Sequence, residues 1–284
     1  MKLICWNCRG LGSPSAIRSL LKLVRQHGPD VLFLSETHLD GPGGERLRVK
    51  LGFDNFSTSP SNGRSGGMIM FSKQHVSLSL RFAQPNFIDV IVKGAEPSMD
   101  WRITGVYGEP VWRNKHRTWQ RLRDLHAQLN LPWIIMGDLN EITYAPEKEG
   151  GRMRPLKYVQ AFRDCLTDCQ LDDLGYIGNK FTWQRGDVHE RLDRALGNTS
   201  WSARFPDAGI HNLTMTDSDH RPIMMDSTYS TVQSKDRKRR RFEGKWLKEE
   251  KFRDIVQTSW DHAPPGVPVM TKLEALHKDL HEWD

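Results

Sequence analysis

Short apolar runs alternate with amphipathic segments along the first part of the chain. Residues 3–6 form an apolar run that predicts a buried strand. Residues 15–27 place apolar side chains at helical spacing, and Gly28 with Pro29 ends that helix. The fully apolar residues 31–34 predict a second strand. The opening of the chain therefore indicates a strand–helix–strand unit with parallel strands.

The same alternation continues to about residue 225. Further apolar runs predict strands at residues 66–71, 89–92, 102–107, 133–136, 180–184, 209–215 and 222–225. Two longer segments, residues 114–129 and 156–169, carry apolar stripes at helical spacing and predict helices. Strands that alternate with helices are typical of an α/β protein.

The composition changes near residue 230. Residues 235–241 form a dense basic run, and residues 243–260 and 269–283 predict two helices separated by a Pro-Pro-Gly sequence. We expect one domain at residues 1–229. Residues 230–284 are then a basic linker and helical appendage, the start of a region that this chain lacks.

Composition and charge narrow the class of protein. The chain has 284 residues, 37% hydrophobic and 27% charged, which is enough to bury a sizeable core. No stretch approaches the roughly 20 apolar residues of a membrane span, and the first residues become polar too early for a secretory signal. We expect an intracellular protein with no membrane partner. The net charge of +6 and the basic run suit a polyanionic partner.

Four cysteines leave two interpretations open. Cys5 and Cys8 form a C-x-x-C sequence, and Cys165 and Cys169 are four residues apart. A structural zinc site would need both pairs to meet. The favoured interpretation is two thiols on the first strand and two on a helix, with Cys5 and Cys8 on opposite sides of the strand.

Polar residues follow several predicted strands, where an α/β sheet usually places its functional site. They are Asn7, Glu36, Tyr107, Asp138, Asn140, Asp219 and His220. Each one alone is explained as a turn or helix-capping residue. Their occurrence together favours a shared site.

Six short motifs in order resemble the endonuclease/exonuclease/phosphatase superfamily, which includes exonuclease III and the apurinic endonucleases. The motifs are Trp6-Asn7-Cys8-Arg9-Gly10, Leu34-Ser35-Glu36-Thr37-His38, Val106-Tyr107-Gly108, Gly137-Asp138-Leu139-Asn140, Arg191-Leu192-Asp193-Arg194 and Ser218-Asp219-His220-Arg221-Pro222. The resemblance covers roughly residues 1–227. It implies a DNase I-like, four-layer α/β sandwich in which two packed mixed β-sheets are flanked by helices.

Within that superfamily the chain most resembles the endonuclease domain of LINE-type non-LTR retrotransposons. The Asn-x-Arg-Gly opening, the Glu-Thr-His motif and the sequence Phe181-Thr182-Trp183 carry this likeness. Residues 241–247 resemble the segment that joins such a domain to a reverse transcriptase. A reverse transcriptase region is therefore expected downstream, although this chain does not contain one.

The resemblance implies a divalent metal site. A phosphodiester is anionic, so a hard cation such as Mg²⁺, with Mn²⁺ as a possible substitute, favours its hydrolysis. The implied metal ligands are Glu36, Asn7 and Asp219. Asp138 would orient or deprotonate the attacking water with the help of Asn140. On an extended strand end these two residues would share a face.

The remaining implied catalytic residues contact the phosphate or support such a contact. His220 would donate to the phosphate oxygens, and Asp193 would hold its imidazole in one tautomer and keep it charged. Tyr107 would hydrogen-bond the phosphate. The expected products carry a 3′-hydroxyl and a 5′-phosphate.

Candidate nucleic-acid contacts complete the predicted site. Arg9 stands where the apurinic endonucleases carry an acidic residue, which makes abasic-site specificity doubtful. Trp183 and Thr182 are expected to touch DNA. The basic run that includes Lys238, Arg239 and Arg240 is a nuclear localisation signal, a DNA-holding patch or a solvated linker. A nuclear location is expected.

The resemblance leaves three functions open. The first is a Mg²⁺-dependent DNA endonuclease that nicks target DNA and leaves a 3′-hydroxyl for retrotransposition. The second is a phosphatase or phosphodiesterase of the same superfamily that acts on a non-DNA phosphoester. The third is a catalytically inactive, retroelement-derived remnant that only binds nucleic acid.

Overall fold

The computed structural model describes residues 1–62, 65–229, 251–262 and 269–283. The chain divides into two compact units, Met1–Tyr229 and Ser230–Asp284. Among the described residues, no helix is long and apolar enough to cross a membrane.

The first unit contains sixteen strands among its described residues. In chain order they are β1 (Lys2–Asn7), β2 (Val31–Ser35), β3 (Asn55–Asn62), β4 (Ser65–Ser72), β5 (Leu78–Gln84), β6 (Phe87–Val92), β7 (Trp101–Tyr107), β8 (Trp133–Asp138), β9 (Lys148–Glu149), β10 (Leu171–Asp173), β11 (Ile177–Gly178), β12 (Trp183–Arg185), β13 (Val188–Glu190), β14 (Asp193–Asn198), β15 (Gly209–Asn212) and β16 (Ile223–Asp226).

Seven helices accompany these strands in the described residues. They are α1 (Pro14–His27), α2 (Gly41–Leu51), α3 (His116–Gln128), α4 (Leu156–Asp168), α5 (Thr199–Arg204), α6 (Lys251–Asp261) and α7 (Val269–Trp283). The last two belong to the second unit. The predicted helix at residues 269–283 is confirmed, whereas residues 243–250 of the other predicted helix lie outside the described residues.

The strands form two large mixed sheets and one small sheet. The seven-stranded sheet has the order β11-β15-β16-β1-β2-β4-β3, and the six-stranded sheet has the order β10-β14-β8-β7-β6-β5. The small sheet has the order β12-β13-β9. In the large sheets, β1 pairs in parallel with β2 and β7 pairs in parallel with β8. The first of these pairings confirms the predicted strand–helix–strand unit.

Three apolar clusters show how the layers stack. One cluster joins the inner faces of the two large sheets, through residues such as Phe33 and Met136. A second lies between the outer face of the seven-stranded sheet and helices α1 and α2, and includes Leu20 and Leu47. A third packs α3 and α4 on the six-stranded sheet, for example through Trp119. This arrangement confirms the four-layer α/β sandwich.

Helix α1 shows why the local sequence folds as it does. The Ser13 hydroxyl accepts a hydrogen bond from the Ala16 N–H at 3.1 Å and caps its start. Gly28 ends the helix in the left-handed region at φ 55°. Between these caps, Leu20 and Val24 face the sheet and are buried, so the predicted helix is confirmed.

The elements that sequence patterns missed are polar or lie at sheet edges. Helix α2 begins with three glycines among four residues, and its apolar stripe is correspondingly weak. The edge strand β3 is mainly Ser, Thr and Asn. The predicted strand at residues 180–184 was displaced, because the strand observed is β12 at Trp183–Arg185.

The cysteine thiols are structural. All four are free and buried. Cys5 lies in the core between the two large sheets, and Cys8 lies in the core beneath α1 and α2. The prediction that these two residues occupy opposite sides is therefore confirmed.

A buried ion cluster links β6 to β7 away from the strand ends that carry the candidate site. Asp89 and Arg102 are fully buried, and Arg102 Nε donates to Asp89 Oδ1 at 2.8 Å. Arg81 Nη1 reaches the other carboxylate oxygen at 2.7 Å. Each charge is therefore paired, as a buried charge must be.

Candidate active site

Polar side chains from both large sheets meet at one end of the sandwich. Asn7 ends β1, Glu36 follows β2, and Tyr107 and Asp138 end β7 and β8. His220 lies on the loop between β15 and β16. All except Asn7 line a cleft of about 390 Å³.

Asn7 connects the two sheets at the floor of this cleft. It is buried, and its Nδ2 lies 3.3 Å from Glu36 Oε1 and 3.1 Å from Asp138 Oδ2. The same nitrogen lies 3.5 Å from His220 Nε2. One amide group thus touches three of the predicted site residues.

Tyr107 donates its hydroxyl hydrogen to Glu36 Oε1. Burial, together with the nearby carboxylates of Glu36 and Asp138, raises the pKa of Tyr107 well above its ordinary value. The hydroxyl consequently stays protonated at neutral pH and remains a hydrogen-bond donor.

His220 lies between two carboxylates. Its Nδ1 lies 2.8 Å from Asp193 Oδ2, and its Nε2 lies 3.6 Å from Asp138 Oδ2. Burial alone would lower the pKa of His220, but Asp193 and Asp138 outweigh burial and raise it to about 9. The imidazole is therefore a cation at neutral pH, with two donors.

Asp138 has the ionisation expected of a base near neutral pH. Burial raises the pKa of its carboxyl to about 6, with the His220 charge acting in the opposite direction. A carboxylate with such a pKa is ionised at pH 7, yet it accepts a proton more readily than an exposed aspartate does.

The chain turns sharply after Asp138, which corrects the expectation of an extended strand end. Asn140 adopts the left-handed region at φ 53°. Its N–H donates to Asp138 Oδ1 at 2.8 Å, and its side-chain amide donates to the Gly108 carbonyl at 2.8 Å. Gly108 is required here, since a Cβ atom would lie 2.4 Å from the Leu139 carbonyl oxygen. Asn140 still lines the cleft with Asp138.

Left-handed backbone conformations concentrate around this cleft. Among the described residues, five non-glycine residues have positive φ, and four of them lie on the loops that follow β1, β2 and β8: Arg9, Glu36, His38 and Asn140. Such conformations cost free energy and persist only where surrounding structure imposes them. Their clustering supports a functional role for these loops.

Buried hydrogen bonds hold the histidine and its partner aspartate in place. The Thr182 hydroxyl accepts from the Asp193 N–H at 2.9 Å. Trp6 Nε1 donates to the His220 carbonyl at 3.1 Å, and the Ser218 hydroxyl accepts from the His220 N–H at 3.1 Å. The Ser-Asp-His motif and the Trp-Asn motif therefore meet in the folded chain.

Thr182 was wrongly predicted to contact DNA. Its side chain is fully buried, and its hydroxyl bonds the backbone of Leu192 and Asp193. The residue therefore positions Asp193 instead. Of the other predicted DNA contacts, Arg9 and Trp183 line the cleft, whereas Lys238, Arg239 and Arg240 lie outside the described residues.

Arg9 and Trp183 converge on Asp219. Arg9 pairs with Asp219 Oδ2 through one guanidinium nitrogen, and Trp183 Nε1 donates to the same oxygen at 2.9 Å. The second oxygen, Oδ1, is buried and has no hydrogen-bond partner within the described residues. An orphaned buried carboxylate oxygen beside a cleft is a feature that a bound cation would satisfy.

The two arginines of the Arg-Leu-Asp-Arg motif anchor β14 from behind. Arg194 Nη2 lies 2.9 Å from Glu147 Oε2, and Arg191 Nη1 lies 2.7 Å from Glu147 Oε1. Both arginines also bond Asp173. This buried network holds the strand that presents Asp193 to the cleft.

We expect this network to make stability depend on acid pH. Burial would raise the pKa of Glu147, but Arg194 and Arg191 outweigh burial and lower it from 4.5 to about 2. A lowered folded-state pKa stabilises the protein above pH 4.5, and this stabilisation, roughly 3 kcal/mol, is lost as the pH falls toward 2. Urea unfolding of wild type between pH 7 and 3 should show the loss.

The variant Glu147→Gln should lose stability at neutral pH and show a shallower decline over the acid range. Glu149→Gln is the matched control, because that carboxylate is 61% exposed and its removal should leave the decline unchanged. An equal acid dependence in Glu147→Gln and wild type would contradict the argument.

Sequence patterns missed several residues that line or support the cleft. Lys148, Arg152, Arg154 and Arg185 give one wall a positive character. Lys115 is buried behind Asn140. None of these residues belongs to the six motifs. The burial of Lys115, immediately before α3, is visible only in three dimensions.

The family of this chain follows from its match to a known sequence profile. The sequence profile of the Endonuclease/Exonuclease/phosphatase family matches residues 4–220. The chain belongs to this family. The matched segment runs through the described site from Asn7 to His220. A search of curated protein sequences found no match.

Solved structures share the fold of this endonuclease/exonuclease/phosphatase family member at low sequence identity. The 3′-5′ exonuclease NExo of Neisseria meningitidis is 20% identical, covering 80% of this chain and 99% of that chain, with a TM-score of 0.58. The AP endonuclease of Leishmania major is 16% identical, covering 79% and 86%, with a TM-score of 0.61. The endonuclease domain of the telomere-specific non-LTR retrotransposon TRAS1 is 12% identical, covering 79% and 96%, with a TM-score of 0.60.

The endonuclease/exonuclease/phosphatase family comprises divalent-metal-dependent phosphoester hydrolases, and the donor set of this chain fits such a metal. Asp138, Asp193 and His220 place potential ligand atoms within 4.8 Å of one another. A charged imidazole repels a cation, however, whereas Glu36 and Asp219 add carboxylate oxygens to the lining of the same cleft. Asn7 now presents its nitrogen to Glu36, while its oxygen accepts from the Arg9 N–H at 3.2 Å. Rotation of the amide by about 180° would turn that oxygen toward the cleft.

Proposed function

We propose that this chain is a divalent-metal-dependent DNA endonuclease that hydrolyses a phosphodiester and leaves a 3′-hydroxyl and a 5′-phosphate. The single observation that carries the proposal is the pairing of a cationic His220 with Asp193, beside the Asp138 carboxylate. In-line hydrolysis requires a hydrogen-bond donor to the phosphate and a base that activates water, and the cleft holds both side by side.

Each residue has a defined task in this proposal. Asp138 accepts a proton from the attacking water, whose oxygen forms a bond to phosphorus as the bond to the 3′-oxygen breaks. The leaving 3′-oxygen takes up a proton from solvent and becomes the 3′-hydroxyl. Asn140 orients that water. His220 donates to a non-bridging oxygen as negative charge develops on it, and Asp193 maintains the charge and tautomer of the imidazole. Tyr107, whose hydroxyl donates to Glu36 in the free site, donates to the phosphate instead when substrate is bound.

The metal ligands in this proposal are Glu36, Asn7 and Asp219. A bound Mg²⁺ or Mn²⁺ would neutralise the phosphate and stabilise charge on the leaving oxygen. The Oδ1 atom of Asp219 and the carboxylate of Glu36 offer the oxygen donors that these ions prefer.

DNA is the substrate that the basic wall of the cleft favours. Lys148, Arg152, Arg154 and Arg185 line the side of the cleft that the small sheet and its neighbouring loop form. Lys148 and Arg154 both pair with Glu190, so the wall keeps a net positive charge through its exposed arginines, Arg152 and Arg185. Phosphate contacts from such side chains position a duplex without reading its sequence. The fold shared with the TRAS1 endonuclease domain supports target-DNA nicking in retrotransposition, where the freed 3′-hydroxyl primes reverse transcription.

A plasmid-nicking assay tests the proposal. Wild type is expected to convert supercoiled plasmid to the open-circular form with Mg²⁺ or Mn²⁺ and to stop when a chelator is added. Ligation of the nicked product by DNA ligase would demonstrate the 3′-hydroxyl and 5′-phosphate ends. If the protein releases phosphate from inositol phosphates but does not nick plasmid, its substrate is a small phosphoester and not DNA. If it binds DNA but cleaves nothing, it is an inactive remnant.

Two exposed arginines of the cleft wall should contribute to salt-dependent DNA affinity. Replacing Arg152 or Arg185 with alanine is expected to weaken binding to any sequence and to reduce the slope of log affinity against log salt by about 1 each. Fluorescence anisotropy with a labelled duplex across a salt series measures this slope. Arg25→Ala, on the exposed face of α1, is the control and should leave the slope unchanged; an unchanged slope for both cleft variants would contradict the placement of DNA.

The nuclear location is part of the same proposal. The basic run at residues 235–241 is proposed to direct nuclear entry of an element whose reverse transcriptase region lies downstream. Deleting residues 235–241 should abolish nuclear accumulation of a fluorescent fusion and leave plasmid nicking by the purified protein intact.

A further inference from the structure

A buried lysine contacts the turn that carries Asn140. Lys115 immediately precedes α3 and is 1% exposed. Its ammonium group donates to the Asn140 carbonyl oxygen and lies 3.3 Å from Glu141 Oε2. Lysine is rarely buried to this extent unless it is paired. Glu141 is adjacent to Asn140 in the chain, so the Lys115–Glu141 pair is close enough to the candidate active site to affect it.

The contact matters because Asn140 is in a conformation that L-residues disfavour. Asparagine tolerates φ 53° better than most L-residues, but the conformation still costs free energy, so the surrounding structure must hold it there. The carbonyl is held by Lys115 and, at 3.5 Å, by Arg154 Nη1. The amide side chain is held by Gly108 and the N–H by Asp138. The backbone carbonyl, the backbone N–H and the side-chain nitrogen of Asn140 are therefore each engaged.

The conformation of Asn140 in turn fixes the carboxylate of Asp138. The Asn140 N–H occupies Asp138 Oδ1 at 2.8 Å, while Asn7 Nδ2 faces Oδ2 at 3.1 Å. A relaxed turn would withdraw the N–H and leave the carboxylate free to rotate about its terminal torsion. A misplacement of about 1 Å in a reacting group costs about 100-fold in rate.

We propose that Lys115 is a positioning residue, which holds the Asn140 carbonyl so that the left-handed turn aims the Asp138 carboxylate at the attacking water. This inference rests on the proposed hydrolytic function. Lys115 itself touches neither substrate nor metal in this arrangement.

A purely structural role is the competing explanation. Lys115 neutralises Glu141, which is fully buried and has Arg154 as a second cationic neighbour at 3.8 Å. Removing the lysine alone would leave a buried carboxylate short of one partner and destabilise the protein. The test must therefore separate the charge balance at Glu141 from the contact with Asn140.

Three variants achieve this separation in the full chain. Lys115→Met removes the hydrogen bond to the Asn140 carbonyl and leaves the Glu141 charge short of one partner. The double variant Lys115→Met/Glu141→Gln removes that hydrogen bond and the Glu141 charge together. Lys115→Arg keeps a cationic donor at this position. The proposal expects about a 100-fold lower kcat for plasmid nicking in the first two, with KM nearly unchanged, and substantial recovery in Lys115→Arg. A wild-type kcat in the double variant would overturn it.

Arg102→Met is the matched control. Like Lys115→Met, it leaves a fully buried carboxylate, Asp89, with one remaining arginine partner. Its melting temperature should fall while the kcat of the folded protein stays at the wild-type value. An equal kcat loss in this control would mean that destabilisation alone lowers activity, and it would overturn the specific role of Lys115.

A crystal structure of the double variant gives a readout that does not depend on activity. The proposal expects Asn140 to leave the positive-φ region and its side chain to release the Gly108 carbonyl. Retention of both features would overturn the inference even if wild type nicks DNA. If wild type cleaves no DNA, the proposed function fails by itself, and the φ value of Asn140 still decides whether Lys115 holds the turn.

Discussion

Asp138→Asn is expected to lower kcat for phosphodiester cleavage by about 10³–10⁴-fold, the largest loss of any single substitution at this site. Asparagine has nearly the same shape and can still accept from the Asn140 N–H through Oδ1. It cannot accept a proton from water. The expected result is therefore a folded protein without its base, measured as single-turnover nicking under saturating metal.

The Asp138→Asn experiment needs proof that metal binding survives. Titration of Mn²⁺ followed by electron paramagnetic resonance should give an affinity close to that of wild type, because Asp138 is not among the proposed ligands. Asp164→Asn is the matched control: Asp164 is exposed on α4 and bonds only Gln160 among the described contacts, so its loss should leave kcat unchanged. Full activity in Asp138→Asn would remove the base from the mechanism.

Glu36→Gln should produce the second largest effect, a loss of metal-supported activity of about 1,000-fold. A metal that stabilises transition-state charge contributes several kcal/mol, and each 1.36 kcal/mol is a factor of ten in rate. Glutamine keeps an acceptor for the Tyr107 hydroxyl, which now bonds Glu36 Oε1. The neutral amide does not, however, attract a divalent cation as the carboxylate does.

The measurement is nicking rate against Mg²⁺ and Mn²⁺ concentration. Glu36→Gln should need far more metal for half-maximal activity, and Asp219→Asn should change in the same direction. Glu45→Gln is the control, since Glu45 pairs with Arg48 on the surface of α2. A Glu36→Gln curve that overlays wild type would show that the ion binds elsewhere, and the Asp138, Asp193 and His220 cluster would then be the alternative.

Both predictions concern side chains that strained backbone conformations hold in place. Glu36 and Asn140 both lie in the left-handed region, at φ 52° and 53°. Glu36 directly follows β2 and Asn140 comes two residues after β8, so the rigid sheets impose both turns and aim the side chains. The proposed ligand and the water-orienting residue are thereby held without flexible loops.

Much of the fold could be predicted from sequence because its central strands are apolar. The strands at Leu32 and Ile135 stand in runs that no solvent-exposed segment would carry, and both are fully buried. Helix α2 and strand β3 could not be predicted, because their folded state depends on covering the sheet and on an edge pairing with β4. A weak local pattern does not report such long-range partners.

The candidate site, like the fold, could be predicted only in part from the sequence. Residue types such as Asp138 and His220 were predicted because short motifs carry them. The error at Thr182 arose because a hydroxyl beside an aromatic residue looks exposed in sequence, whereas the small sheet and β14 bury it. Lys115 was missed because a lysine in a helix-like segment is normally solvated.

The sequence by itself determined the family, the apolar central strands and the kinds of side chain at their ends, since apolar runs and motif residues are local properties of the chain. Only the tertiary structure decided which atoms meet. His220 Nδ1 lies 2.8 Å from an aspartate 27 residues earlier, and Lys115 reaches the carbonyl of Asn140 across two strand-end loops. Such contacts depend on the register of β8 with β14 and on how two sheets pack, which no single segment encodes.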